Sequence, residues 1–98
     1  MSEDIKKIVK RIEIKALPFT DKLVEKGMKG QADQILGLIH AIEENTLTNC
    51  SSLYLILQSS MFDEIEAEGE DAAESLSYLY NLMTRVYGGA VLDMIMND

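Results

Sequence analysis

The sequence predicts an all-α fold: a single domain built as a compact bundle of four to five helices, mainly antiparallel, with the last helix the longest. Three observations carry this. Apolar residues recur at helical spacing along nearly every segment. Pro18 is the only proline among 98 residues, and near-absence of the strongest helix breaker leans to helix. Glycines and Asn/Thr clusters fall between the periodic runs, where helices end and begin. A chain of this size buries roughly 70% or less of its unfolded surface, enough for one modest core.

At about 100° per residue, Ile5, Ile8, Val9, Ile12 and Ala16 share one stripe of a first helix, with Lys6, Lys7, Lys10 and Arg11 off it. Ser2 is its expected N-cap, with acids in the first turn. Pro18 removes an N–H and crowds the preceding turn, so a stop or kink is expected near Leu17. Phe19 and Leu23 nonetheless continue the stripe, which leaves a bend open as well as a break. Ile14 and Leu17 sit outside the stripe and call for a second neighbour.

Gly27 and Gly30 bracket Met28-Lys29 and mark a helix end and turn. A second helix is expected from about Gln31 to Asn45, with Ala32, Ile35, Leu38, Ile39 and Ile42 on one face. His40 points away from that face, towards Asp33 and Glu44. The Asn45-to-Asn49 cluster supplies turn and cap residues, with Thr46 or Thr48 as the cap of a third helix. There Cys50, Leu53, Ile56, Leu57 and Met61 share a face, while Tyr54, Leu55 and Phe62 lie elsewhere. A helix apolar on most sides is a central one. A short buried strand over Leu53 to Leu57 competes with this reading. Helix is preferred because the pattern extends to Met61 and Ile65 and no partner strand is evident.

Gly69 marks a turn before the last helix. Its broad inner face holds Ala72, Ala73, Leu76, Leu79, Tyr80, Met83, Val86, Tyr87, Ala90, Val91 and Met94. Gly88-Gly89 lies off that face. Two adjacent glycines are each about 1 kcal/mol worse than Ala in a helix, so a hinge there is open.

Net charge is −8, unevenly laid out. Residues 1–30 hold eight of the nine basic residues and five acids, a net of +3; residues 31–98 hold Arg85 and twelve acids, a net of −11. A chain polarised in this way can pair its own halves or pair with a copy. The N-terminus has no apolar h-region, and no apolar run approaches the ~18 residues of a spanning helix. With Cys50 alone, no intramolecular disulfide can form. A cytoplasmic protein with no membrane role is expected.

No catalytic constellation emerges. His40 is the sole histidine and lacks an adjacent nucleophile and orienting acid; a solvated pair with Glu44 is its expected role. Cys50 lies on an apolar face, where a free thiol acts as a small hydrophobe. No cofactor and no metal ligand set are expected. Glu64-x-Glu66-x-Glu68-Gly69 begins like a calcium loop, but Ser75 stands where the bidentate glutamate belongs. Asp63-x-x-Glu66 and Asp71-x-x-Glu74 resemble the acidic pairs of all-α nucleoside triphosphate pyrophosphohydrolases, which hold Mg²⁺ against a triphosphate. That resemblance makes nucleotide hydrolysis one alternative function, although only Arg85 is near to grip phosphate.

The remaining features point to protein contacts. The acids Asp63, Glu64, Glu66, Glu68, Glu70, Asp71 and Glu74 form a charged turn. Lys7, Lys10 and Arg11 form a basic face that can dock against it, within the chain or on a partner. A pI far below the basic range argues against direct nucleic-acid binding. Tyr78 and Leu82, with Arg85 near them, lie off the core stripe of the last helix and suggest a contact surface. Ile14, Leu17, Leu55 and Phe62 add apolar surface beyond what a monomer readily covers, which favours a homodimer. The expected function is therefore a non-enzymatic protein-interaction module: an adaptor, chaperone or regulatory subunit. A second alternative is an acidic inhibitor of phage type that imitates nucleic acid.

Overall fold

The computed structural model describes residues 2–58, 62 and 69–86, and among them it holds four helices and no strand. These are α1 (Ser2–Glu25), α2 (Lys29–Ala41), α3 (Thr46–Leu57) and α4 (Glu70–Val86). α1 packs on α2 and α4, and α3 packs on the same two, so the helices close a ring around one core. Lys6 lies by Glu43 and Glu13 by His40, so α2 runs back along α1. Gly69 reaches Lys22 and Ser75 reaches Lys15, so α4 is antiparallel to α1 as well. The all-α bundle predicted from periodicity is the fold observed.

α1 is continuous through Pro18, and its 24 residues make it the longest helix among the described residues. The last helix is described over 17 residues, and the rest of its expected extent, to Met94, lies outside the described residues. A hydroxyl from α4 carries α1 past the proline. Lys15 C=O and Phe19 N–H are the pair that an unbroken helix would join. Phe19 N–H donates to Ser75 Oγ at 3.3 Å, and Ser75 Oγ donates to Lys15 C=O at 2.6 Å. The serine hydroxyl thus stands in the helix ladder one residue beyond Pro18, a recognised cause of helix bending. Thr20 Oγ1 adds bonds back to the Ala16 and Leu17 carbonyls, both at 3.3 Å. α1 takes in Ser2 itself, so Ser2 does not cap it from outside.

α1 ends as its glycine predicts. Gly27 adopts φ +80°, its N–H donates to Val24 C=O at 3.0 Å, and Met28 N–H donates to Leu23 C=O at 2.8 Å. This is the Schellman pattern, completed by Met28 packing on the core. α2 starts and stops before the expected Gln31 and Asn45, giving way to a turn at residues 42–44. α3 is capped by Asn45, whose side chain accepts from Thr48 N–H at 3.2 Å, and not by Thr46 or Thr48. Thr46 instead donates back to Ile42 C=O at 3.1 Å. Asn49 Nδ2 donates to Ala41 C=O at 2.7 Å and Asn45 C=O at 2.8 Å, tying the end of α2 to the start of α3.

The centre of the core holds Ile12, Phe19, Leu23, Ile35, Ile39, Leu53, Leu79 and Met83, all fully buried. Phe62, expected on a contact surface, is buried and meets Phe19 edge to face, with ring centroids 5.3 Å apart. Ala72, Leu76, Leu79 and Met83 of α4 face inward as expected, but two residues change sides. Leu82 is 1% exposed and belongs to the core, whereas Tyr80 is 36% exposed. The buried sector of α4 runs through Ala72, Ser75, Leu76, Leu79, Leu82 and Met83. It includes Ser75, whose hydroxyl bridges Lys15 C=O and Phe19 N–H of α1. The expected glycine hinge at Gly88-Gly89 lies outside the described residues.

Candidate interaction surface

Among the described residues the charged groups of α1 have neighbours on both α2 and α4. Lys7, Lys10 and Arg11 are all exposed. Lys6 Nζ lies 3.9 Å from Glu43 on the α2 side. His40 Nε2 lies 3.2 Å from Glu13 of α1, and Glu13 replaces the expected Glu44 as its partner. On the α4 side, Lys15 Nζ sits 5.7 Å from the centroid of the half-buried Tyr78 ring. That contact is a cation–π pair of modest strength at a partly exposed site. The charges of α1 are thus shared between its two neighbours.

The acids of α4 line the seam with α1. A groove of about 370 Å³ is walled by Ile14, Lys15, Pro18, Asp71, Glu74 and Tyr78, with Ser75 at its base. It continues over Pro18 into a space of about 400 Å³ beside Lys22, Gly69 and Glu70. Glu70, Asp71 and Glu74 are exposed, with Lys15 and Lys22 standing among them. Over these described residues, carboxylates are interleaved with ammonium groups and are not set in a row of one sign. Asp63, Glu64, Glu66 and Glu68 lie outside the described residues. Among the described residues no group of three or more His, Cys, Asp or Glu side chains is placed to hold a metal ion. Arg85 is exposed in the last described turn of α4.

Cys50 is buried, and burial raises its thiol pKa from 9.0 to about 11. The thiolate is the nucleophilic form, so Cys50 stays a neutral core thiol through the physiological range. Among the described residues no helix is long and apolar enough to cross a membrane.

Among the described residues the exposed aliphatic side chains form two sets. Ile14 (56%), Leu17 (40%) and Val24 (47%) stand on the solvent side of α1. Leu47 (63%) and Leu55 (67%) stand on α3, next to Tyr54, which meets Tyr80 at 5.5 Å between ring centroids. Sequence reasoning singled out Ile14, Leu17 and Leu55 but missed Val24 and Leu47. Val24 was legible, since it lies two helical turns beyond Leu17 on the same face. Leu47 was masked by the capping residues around it. The chain matches no protein-family model, no curated protein and no solved structure with which it was compared.

Proposed function

We propose that this chain is a non-enzymatic protein-interaction module, an adaptor or regulatory subunit of the cytoplasm, that works as a homodimer. It docks through helix faces, and opposite charges steer the approach. The observation that carries this reading is the apolar set on the solvent side of α1: Ile14, Leu17 and Val24, each at least 40% exposed. Scattered apolar residues are normal on a surface. Three on one helix face, beside charges of both signs, match the make-up of a recognition surface. The second apolar set, around Leu47 and Leu55, leaves a separate face for a different protein.

Sedimentation velocity from about 1 to 100 μM, a range that brackets weak assembly, tests the reading. We expect a dimer at tens of micromolar and a shift to monomer for Leu17→Glu. A monomer throughout that range would remove the homodimer.

A further inference from the structure

The solvent face of α1 carries more than three apolar residues. Lys7, Lys10, Ile14, Leu17, Asp21 and Val24 follow one another at alternating steps of three and four residues, and all six are exposed. Alternating steps of three and four keep a line of side chains on one side of a helix, and they define the seam along which two helices pack lengthwise. The pattern is separate from the buried stripe through Ile8, Ile12, Ala16, Phe19 and Leu23. α1 is therefore two-faced, with one seam spent on the core and a second turned to solvent.

The order of residues along the outer seam selects its occupant. Two lysines come first, two aliphatic residues lie at the middle, and an aspartate and a valine follow. Set against itself in parallel, the seam opposes like charges, Lys10 to Lys10 and Asp21 to Asp21. Set against itself antiparallel and centred between Ile14 and Leu17, it opposes Ile14 to Leu17, Lys10 to Asp21 and Lys7 to Val24. One step off the seam, Lys6 then faces Glu25. A two-fold axis writes every such pairing twice. Among the described residues neither Lys10 nor Asp21 has an ion-pair partner within the chain.

We propose that a second copy of this chain covers the outer seam of α1, antiparallel, with Lys10 of each copy paired to Asp21 of the other and Ile14 packed on Leu17. This rests on the homodimer reading above and names its interface. The surface around Leu47 and Leu55 then stays outside the dimer, open to another protein.

A charge-reversal cycle followed by sedimentation tests it, using the full chain. Lys10→Glu and Asp21→Lys each replace two attractive pairs by two repulsive ones, and we expect each to weaken dimerisation about tenfold. The combined variant restores opposite charges at both positions and is expected to return most of the wild-type affinity. Both positions are exposed, and circular dichroism melts should show each variant folded. A dimer that neither reversal weakens would overturn the α1 seam while leaving the homodimer reading intact. Two weakened single variants with no recovery in the combined one would overturn the Lys10–Asp21 pairing. A wild-type monomer would overturn both readings. If that monomer also lost thermal stability with Leu17→Glu, the seam would be covered by another segment of the same chain.

Discussion

At the scale of single residues, Pro18 and Ser75 are one device. A proline inside a helix leaves a carbonyl without its donor and pushes the backbone apart at that turn, which destabilises by about 3 kcal/mol when nothing compensates. Here the orphaned carbonyl is that of Ile14, and a hydroxyl bridges the next rung, accepting from Phe19 N–H and donating to Lys15 C=O. Phe19 is fully buried, so water cannot easily take over that role. Ser75→Ala is therefore expected to destabilise by about 1–3 kcal/mol, the range for orphaned buried polar groups. In a Pro18→Ala background the ladder of α1 can close by itself. The same Ser75→Ala change should then be milder by about 1 kcal/mol, the signature of coupled residues. Urea unfolding of the four proteins measures this, and strictly additive losses would show that the hydroxyl does not serve the proline break. Sequence reading named Pro18 as a disturbance and Ser75 only as a residue that spoiled a calcium loop. Their connection was illegible because it joins positions far apart along the chain, and periodicity reports only on neighbours within a helix.

At the scale of elements, the helix faces were legible and the helix ends less so. Apolar spacing placed Ile8, Ile12, Ile35, Ile39, Leu53 and Leu79 inward correctly, because burial of such side chains, about 1.5–3 kcal/mol each, dominates local preferences. Tyr80 and Leu82 were assigned to the wrong sides. They flank the edge of a broad stripe, where a small rotation of α4 decides burial. The cap of α3 was missed because Asn45, Thr46 and Thr48 are all capable caps, and only the path of the turn selects among them. Gly27 was read correctly as a helix end, since its left-handed φ suits glycine alone. Two glycine substitutions turn this contrast into a measurement. Gly27→Ala forces a Cβ into φ +80° and is expected to destabilise by about 1 kcal/mol. Gly37 lies inside α2, exposed, with open space where a Cβ would be added. Gly37→Ala should stabilise by up to about 1 kcal/mol. Opposite shifts in the thermal midpoints of these two variants check that α1 ends at Gly27 and that α2 runs through Gly37; equal signs would contradict one of those assignments.

At the scale of the whole molecule, the same charges act in two opposed ways on assembly. Each chain carries −8, and the bundle is 21 Å across its short axes, so two copies side by side repel over roughly that distance. In water at an ionic strength of 0.01 M, where the Debye length is about 30 Å, this repulsion amounts to several kcal/mol. At 0.1 M, with a Debye length of about 10 Å, it falls to about 1 kcal/mol. The Lys10–Asp21 pairs act at contact, and exposed pairs of that kind are worth only about 0.2–1 kcal/mol each. Between 0.01 and 0.1 M salt the loss of long-range repulsion therefore outweighs the weakening of the contact pairs, and dimerisation should tighten. Above about 0.1 M little repulsion is left to screen, and further salt erodes the pairs, so affinity should level off and then decline. A sedimentation series across NaCl concentration is expected to show this maximum. For the Lys10→Glu variant, which has lost the Lys10–Asp21 pairs and carries additional negative charge, affinity should instead keep rising to higher salt than in the wild type. A wild-type affinity that only falls as salt increases would mean that steering by opposite charges outweighs the net repulsion, and that the interface joins more basic surface to acidic surface than the α1 seam supplies.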